Sequence, residues 1–235
     1  MNWRVMAKKD FLDAYRKWSL GTAAVGFVLF FVPLAGMMMS YGSIASEREI
    51  GSLKLLLALP YTRRDVVAGK AVGRAAVVGT AAFIGVFVAT LVFVALGGSL
   101  SLVEFVAFLV LLFLLAAAYT SSAVCLSAAS PTSNRAMATG VGFFLLSFIG
   151  WSAIPLVIRY VLNGFSVPSG RPPEWTLLIK NLGPIQAYSN GMDTLVHGST
   201  GDVFYHTGWF ALLVLAAWAV VPVLLGYRWF DSVDI

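Results

Sequence analysis

Residues 45–70 read ASEREIGSLKLLLALPYTRRDVVAGK, a charge-dense stretch in a chain that is otherwise close to lipid in composition. With Arg74 it holds six of the sixteen Lys and Arg residues: Arg48, Lys54, Arg63, Arg64, Lys70 and Arg74. It opens on a Glu-Arg-Glu triplet at 47–49 and pivots on Pro60, with long apolar runs on both sides. Where this stretch sits relative to a membrane decides what the protein can be.

Working outward, composition sets the class. The 235 residues are 59% apolar and only 11% charged, with a mean hydropathy of +0.85, whereas about a quarter of the residues in a soluble domain are charged. Uncharged runs cover 18–46, 75–103, 105–134, 136–158 and 203–227. Each can cross a hydrocarbon core of roughly 30 Å, which takes about 20 helical residues. Only helices or closed barrels can span, and period-two alternation is absent, so the runs read as helices. The expected fold is all-α, a polytopic membrane bundle forming one domain over 1–235, with spans at 19–42, 71–97, 103–128, 136–162 and 203–227. No small-residue cleavage site followed by a soluble region appears, so a secretory signal peptide is not expected. The single cysteine, Cys125, lies in the third run and reads as a small buried residue.

Basic residues orient the bundle. Cytoplasmic loops are enriched in Lys and Arg, which puts 45–70, the turn at 127–135 with Arg135, and the C-terminus with Arg228 inside. The turn near 97–104 and the segment 163–202 then lie outside. The N-terminus conflicts with this scheme. Residues 3–17, WRVMAKKDFLDAYRK, are also basic, yet one spanning run separates them from the inside stretch. Either the chain starts outside with five spans, or residues 1–17 lie on the inner surface before a re-entrant run, or a span is missing. Read as a helix, this segment gathers Trp3, Met6, Ala7, Phe11, Ala14, Tyr15 and the following Trp18 into one stripe, which suits an interfacial helix over 1–17 in the headgroup region.

The charged stretch reads as two helices. Ser46 with Glu49 fits a capping box, and Thr62 with Asp65 repeats it more weakly. The first helix, about 47–59, presents Ile50, Leu53, Leu56 and Leu57 as an apolar face, with Glu47, Arg48 and Lys54 largely opposite. Pro60 ends it. The second begins near Arg63 and continues into the second span. Short amphipathic helices in such a connection can receive force from a soluble partner, and they can equally be a surface-anchored linker.

The pattern Glu47-Arg48-Glu49, Gly51-Ser52-Leu53, Leu55-Leu56-Leu57, Leu59-Pro60, Arg63-Arg64 and Gly69-Lys70 resembles the signature of type-two ABC exporter permeases. The likeness is greatest to the branch with nitrous oxide reductase maturation permeases and archaeal permeases. The opening KKDFLDAYR and the closing GYRWFDSVDI resemble that family's two ends. The resemblance implies a permease subunit that pairs with a second one, as homodimer or heterodimer, in the plasma membrane of a prokaryote. It would dock a separate ATP-binding subunit, which holds the ATP and Mg, through a cytoplasmic coupling helix. Glu47, Arg48, Glu49 and Gly51 would belong to that helix and its approach, with Leu53 and Leu56 supporting it and Pro60 turning the chain back. Arg63, Arg64 and Lys70 would hold the return into the membrane. The segment 163–202 would match the family's re-entrant helices. The family usually has six spans, two of them before the Glu-Arg-Glu motif, so the resemblance implies that this chain lacks the first.

Other motifs say less. Gly69/Gly73 and Ala136/Gly140 have small-xxx-small spacing, read as local packing within one subunit. Met37, Met38 and Met39 point around a helix and do not form a metal site. Arg159 reads as a snorkelling residue near the outer surface. No GxxxxGK[ST] loop or HExxH spacing is present, so no catalytic activity, bound cofactor, metal or nucleic-acid partner is expected. Serines and threonines within spans are expected to bond back to their own helices. The leading reading is a permease subunit driven by a partner's ATP cycle, with a hydrophobic or amphipathic cargo. The alternative is a non-transporting scaffold that recruits a cytoplasmic partner through the same helix.

Overall fold

The computed structural model describes residues 26–57, 62–95, 101–168, 170, 172–199 and 203–231, with the side chains of 54, 55 and 57 excepted. The interfacial helix expected at 1–17, Pro60 and the last four residues lie outside the described residues. The described residues form helices and connecting turns, with no strand among them. Helix α1 covers 26–40 and leads through a turn into the short helices α2 (Ala45–Glu49) and α3 (Ser52–Leu57). Helices α4 (Arg63–Ala95) and α5 (Leu102–Ala129) follow. Next come α6 (Ser133–Leu145) and α7 (Ile154–Leu162), then α8 (Glu174–Asn181), α9 (Pro184–Gly191) and α10 (Gly208–Asp231).

Among the described residues five helical stretches are long and apolar enough to cross a membrane: Gly26–Glu49, Arg63–Ala95, Leu102–Ala129, Ser133–Leu162 and Gly208–Asp231. The last begins at Gly208, five residues beyond the expected 203, because Phe204–His206 forms a separate 3-10 turn. The stretch Ser133–Leu162 is irregular in its middle, with a π turn at Leu146–Gly150 and a 3-10 turn at Trp151–Ala153. Pro155 follows directly. Its ring clashes with the carbonyl of residue 151 and it has no N–H to donate, so the α-pattern gives way just upstream.

Helix α5 is the centre. Leu111, Leu112, Leu115, Ala116, Tyr119 and Ala123 are essentially inaccessible and pack against α10 (Val214, Leu215) and α9 (Ala187, Tyr188). Close approach is a sequence property here: a Cβ on Gly226 of α10 would come within 2.9 Å of the Cα of Cys125 on α5. Helix α4 is the opposite case. Val72, Ile84, Phe87, Val88 and Leu91 are all exposed, an apolar surface too extensive for water and suited to lipid. The protein is a multi-pass membrane bundle.

Some hydroxyls within the spans bond back to their own helices as expected, while those of Ser40 and Ser43 have no partner among the described residues. Thr120 donates to the carbonyl of Ala116, Ser122 to that of Ala118 and Thr139 to that of Arg135. The small-residue motifs divide. Ala136 and Gly140 pack inward, and Gly140 meets Met37 and Tyr41. Among the described residues nothing packs against Gly69 or Gly73, and no neighbour reaches their face of α4.

Candidate partner-docking site

The apolar residues seat the charged segment. Ile44 and Leu53 are fully buried and join Val67 and Ala71 of α4, Val124 and Ala128 of α5 and Phe230 of α10 in one cluster. The first N–H groups of α2 need partners from elsewhere, since a helix start cannot satisfy them internally. The Ser127 hydroxyl accepts from the N–H groups of both Ile44 and Ala45, each at 3.0 Å. Ser46 therefore does not act as the expected cap. It lies inside α2, and its hydroxyl donates back to the carbonyl of Gly42.

Nor does one helix run over 47–59. α2 stops at Glu49, with Ile50 as its C-cap, and Gly51 takes a left-handed φ of +77°. Glycine suits this position because it has no Cβ to clash. The Gly51 N–H closes the end on the carbonyl of Arg48 at 3.2 Å. This break throws Ile50 outward at 76% exposure, whereas the amphipathic reading placed it on the bundle face. Leu53, one turn on, is buried as that reading required, and Leu56 is half-buried.

The triplet 47–49 turns toward the bundle, each residue to a different helix. Lys70 Nζ of α4 donates to Glu47 Oε1 at 2.5 Å, and both side chains are largely shielded. The Arg48 guanidinium donates to the carbonyls of Ser130 (3.0 Å) and Ala128 (3.1 Å), where α5 ends. Burial, and after it the neighbouring Arg63, pull the Arg48 pKa below its usual value. Glu49 Oε2 accepts from the Ser133 hydroxyl (2.7 Å) and backbone N–H (3.0 Å) at the start of α6. These two bonds hold the Glu49 carboxyl below the usual carboxylate range. A cation thus sits at a helix C-terminus and an anion at a helix N-terminus, the favourable sense of the helix dipole.

The return into the membrane is braced in the same way. Thr62 and Asp65 form a full reciprocal capping box, with the Thr62 N–H on Asp65 Oδ2 at 2.8 Å and the Asp65 N–H on the Thr62 hydroxyl at 3.3 Å. Arg63 donates to the carbonyls of Phe230 (2.6 Å) and Asp231 (3.3 Å), where α10 ends. The Phe230 ring lies beneath both Arg63 (5.4 Å) and Arg48 (5.8 Å), and Arg64 stacks over Tyr227 at 4.7 Å. Arg63 and Arg64 thus fasten α4 to α10, and Lys70 fastens it to α2.

Sequence reasoning missed the receiving side: Ser127, the carbonyls of Ala128 and Ser130, Ser133, and Phe230 as a shared platform. The available signal was the hydroxyl-rich run 127–133, SAASPTS, in a turn placed on the same side of the membrane as the triplet. What remains uncovered is a small tip of Ile50 and Gly51, flanked by exposed Glu49, Asn134 and Arg135. Among the described residues no group of His, Cys, Asp and Glu is arranged to hold a metal ion.

Comparison with known proteins agrees with this architecture. Residues 4–235 match the family model of the ABC-2 family transporter protein. Over 213 residues the chain is 28% identical to the probable ABC transporter permease protein NosY of Stutzerimonas stutzeri, covering 86% of this chain and 75% of that protein. A match over nearly the whole chain, on a bundle of membrane-length helices, settles the family: the chain belongs to the ABC-2 family of transporter proteins, the membrane permeases of ABC systems.

Proposed function

We propose that this chain is the membrane half of an exporter, moving a hydrophobic or amphipathic cargo outward when a separate ATP-binding subunit closes on ATP and Mg. The charged segment lies on the cytoplasmic side of a prokaryotic plasma membrane, and two permease subunits, identical or related, complete the pathway. ATP chemistry belongs to the partner, and this chain is not itself an enzyme. In this reading the missing crossing precedes α1.

The observation that carries the proposal is the tip at Ile50 and Gly51. It is exposed, while the residues just before it are bonded to α4, α5 and α6. A partner pressing on Ile50 therefore moves three spans together, and such a bistable rigid-body shift is how closure of one subunit rearranges another. The Glu-Arg-Glu triplet acts as the brace behind the contact, and Ile50 is the contact itself.

The test is Ile50→Asp, assayed with the cognate ATP-binding subunit. An exposed apolar anchor at an interface centre is worth about 2 kcal/mol, so affinity should fall about thirtyfold and ATPase stimulation should fall with it. Unchanged affinity and stimulation would remove the tip from the interface. The sidedness is tested by single cysteines at Ile50 and at Val167, which is 82% exposed, with Cys125 buried and silent. An impermeant maleimide should label Val167→Cys in intact cells and Ile50→Cys only after lysis.

A further inference from the structure

The seam between α4 and α10, beside the Arg64–Tyr227 stack, contains a groove of about 390 Å³. Arg64, Val67 and Ala68 line it from α4, and Val223, Leu224, Tyr227 and Arg228 from α10. The spacing orders the groove by depth. Val67 and Ala68 lie one turn further into the membrane than Arg64. Leu224 lies one turn further in than Arg228, because α10 runs the other way. One helical turn is about 5.4 Å. The groove therefore has two guanidinium groups and a phenol at the membrane surface, and four apolar side chains beneath them.

Among the described residues its charge is largely uncompensated. Arg64 is exposed and stacks on Tyr227, Asp231 is the acidic group that it feels among the described residues, and Asp65 is engaged by Thr62. Arg228 is exposed and forms no salt bridge among the described residues. Polar cations at headgroup depth over an apolar slot are complementary to a phosphate joined to an acyl chain. A free phosphate would leave the deep apolar walls unused, and a neutral phospholipid would leave the cationic mouth without a net counter-charge.

We infer that this groove binds one anionic phospholipid, its phosphate between Arg64 and Arg228 and an acyl chain along Val67, Ala68, Val223 and Leu224. The site is independent of whichever soluble partner docks. It adjoins the charged segment, however: Val67 also belongs to the cluster that seats Ile44 and Leu53, and Arg63 beside it fastens the end of α10. A bound lipid would therefore reinforce the α4–α10 seam behind the docking tip.

The experiment is lipid retention by native mass spectrometry on the purified full chain, supplied with equal phosphatidylglycerol and phosphatidylcholine of the same acyl chains. Each arginine near an anionic headgroup contributes about fivefold in affinity, and two contribute about thirtyfold. Wild type should retain one phosphatidylglycerol in strong preference to phosphatidylcholine. Arg228→Gln should lose about fivefold, and the Arg64→Gln/Arg228→Gln double variant nearly all of the preference. Arg228 makes no side-chain hydrogen bond among the described residues, so its variant tests the site even if the double variant fails to fold. The control is Arg159→Gln, on the last turn of α7. Equal retention of the two lipids by wild type overturns the proposal, as does a loss in Arg228→Gln no larger than in Arg159→Gln. Displacement of the lipid by millimolar inorganic phosphate also overturns it, in favour of a free-anion site.

Discussion

The two ends of the bundle face one problem and solve it with different chemistry. Helices that stop at a membrane boundary leave backbone groups unsatisfied. At the charged end, Arg48, Glu49 and Arg63 each take the end of another helix, and Glu47 pairs with Lys70. At the far end the elbow between α8 and α9 is held by neutral donors. Trp151 Nε1 donates to the carbonyl of Ile179 (3.0 Å) and Trp218 Nε1 to that of Leu182 (2.9 Å), with the two indoles edge to face. Asn190 ties Asn181 to the carbonyl of Tyr205. Indoles suit a site that is apolar on one side and wet on the other. Charges bind more strongly but respond to salt, pH and an approaching partner. The difference teaches that the end proposed to meet a partner is held electrostatically, and the opposite end by neutral hydrogen bonds.

Removing a charge should therefore cost more than removing an indole donor. Arg48→Met keeps much of the side chain's volume but strips the carbonyls of Ala128 and Ser130 of their donors. Hydrogen bonds to a charged group are worth about 1.5–3 kcal/mol each, and the half-buried setting puts the expected total near 2–3 kcal/mol. Thermal unfolding in detergent would measure it. Arg48→Lys should recover only part, since an ammonium cannot reproduce the planar fork that reaches both carbonyls. Full recovery by lysine would mean that charge alone, without geometry, secures this end.

At the far end Trp151→Phe and Trp218→Phe each remove one neutral N–H and keep an aromatic ring. Interhelical hydrogen bonds in membrane bundles average about 0.6 kcal/mol, so each substitution should lower stability by no more than about 1 kcal/mol. A loss as large as that of Arg48→Met would erase the distinction between the two ends. Shape matters more here than the hydrogen bond. A Cβ on Gly183 would lie 2.5 Å from Trp151 Cδ1, so Gly183→Ala should exceed both tryptophan changes.

The sequence carried the bundle and the position of the charged segment because both are one-dimensional signals: uncharged runs of membrane length and a cluster of Lys and Arg between them. Local breaks were harder to read. Gly51 is visible in the sequence as a motif residue, but its role as the left-handed stop of α2 depends on the backbone around it, and with that role goes the outward turn of Ile50. The direction of the triplet was not legible either. An amphipathic projection places Glu47 and Arg48 on the polar face by default. What draws Glu47 inward is Lys70, 23 residues on. Arg48 and Glu49 are drawn by the ends of α5 and α6, 80 to 84 residues away in sequence, where carbonyls and a backbone N–H are among the partners. At Gly69 and Gly73, likewise, spacing identifies a smooth helix face but not what lies opposite it.

The finest distinction between the two ends is their response to acid. Glu49 has a lowered carboxyl pKa in the folded protein because Ser133 donates to it twice, whereas an unperturbed glutamate titrates near pH 4.3. A depressed folded pKa stabilises the folded state above the unfolded value, and that contribution fades as the pH falls through the folded value. The Ser133 amide is bonded to Glu49 and is its direct reporter. Hydrogen exchange at Ser133, corrected for the intrinsic pH dependence, should lose protection below about pH 4. The Gly183 amide, bonded to the carbonyl of Lys180 in the neutral elbow, should keep its protection over the same range. Glu49→Gln retains an acceptor oxygen and cannot titrate, so its Ser133 protection should be independent of pH. If Ser133 in that variant still loses protection in acid, the sensitivity belongs to another group, and the electrostatic account of this end must be carried by Arg48 and Arg63 alone.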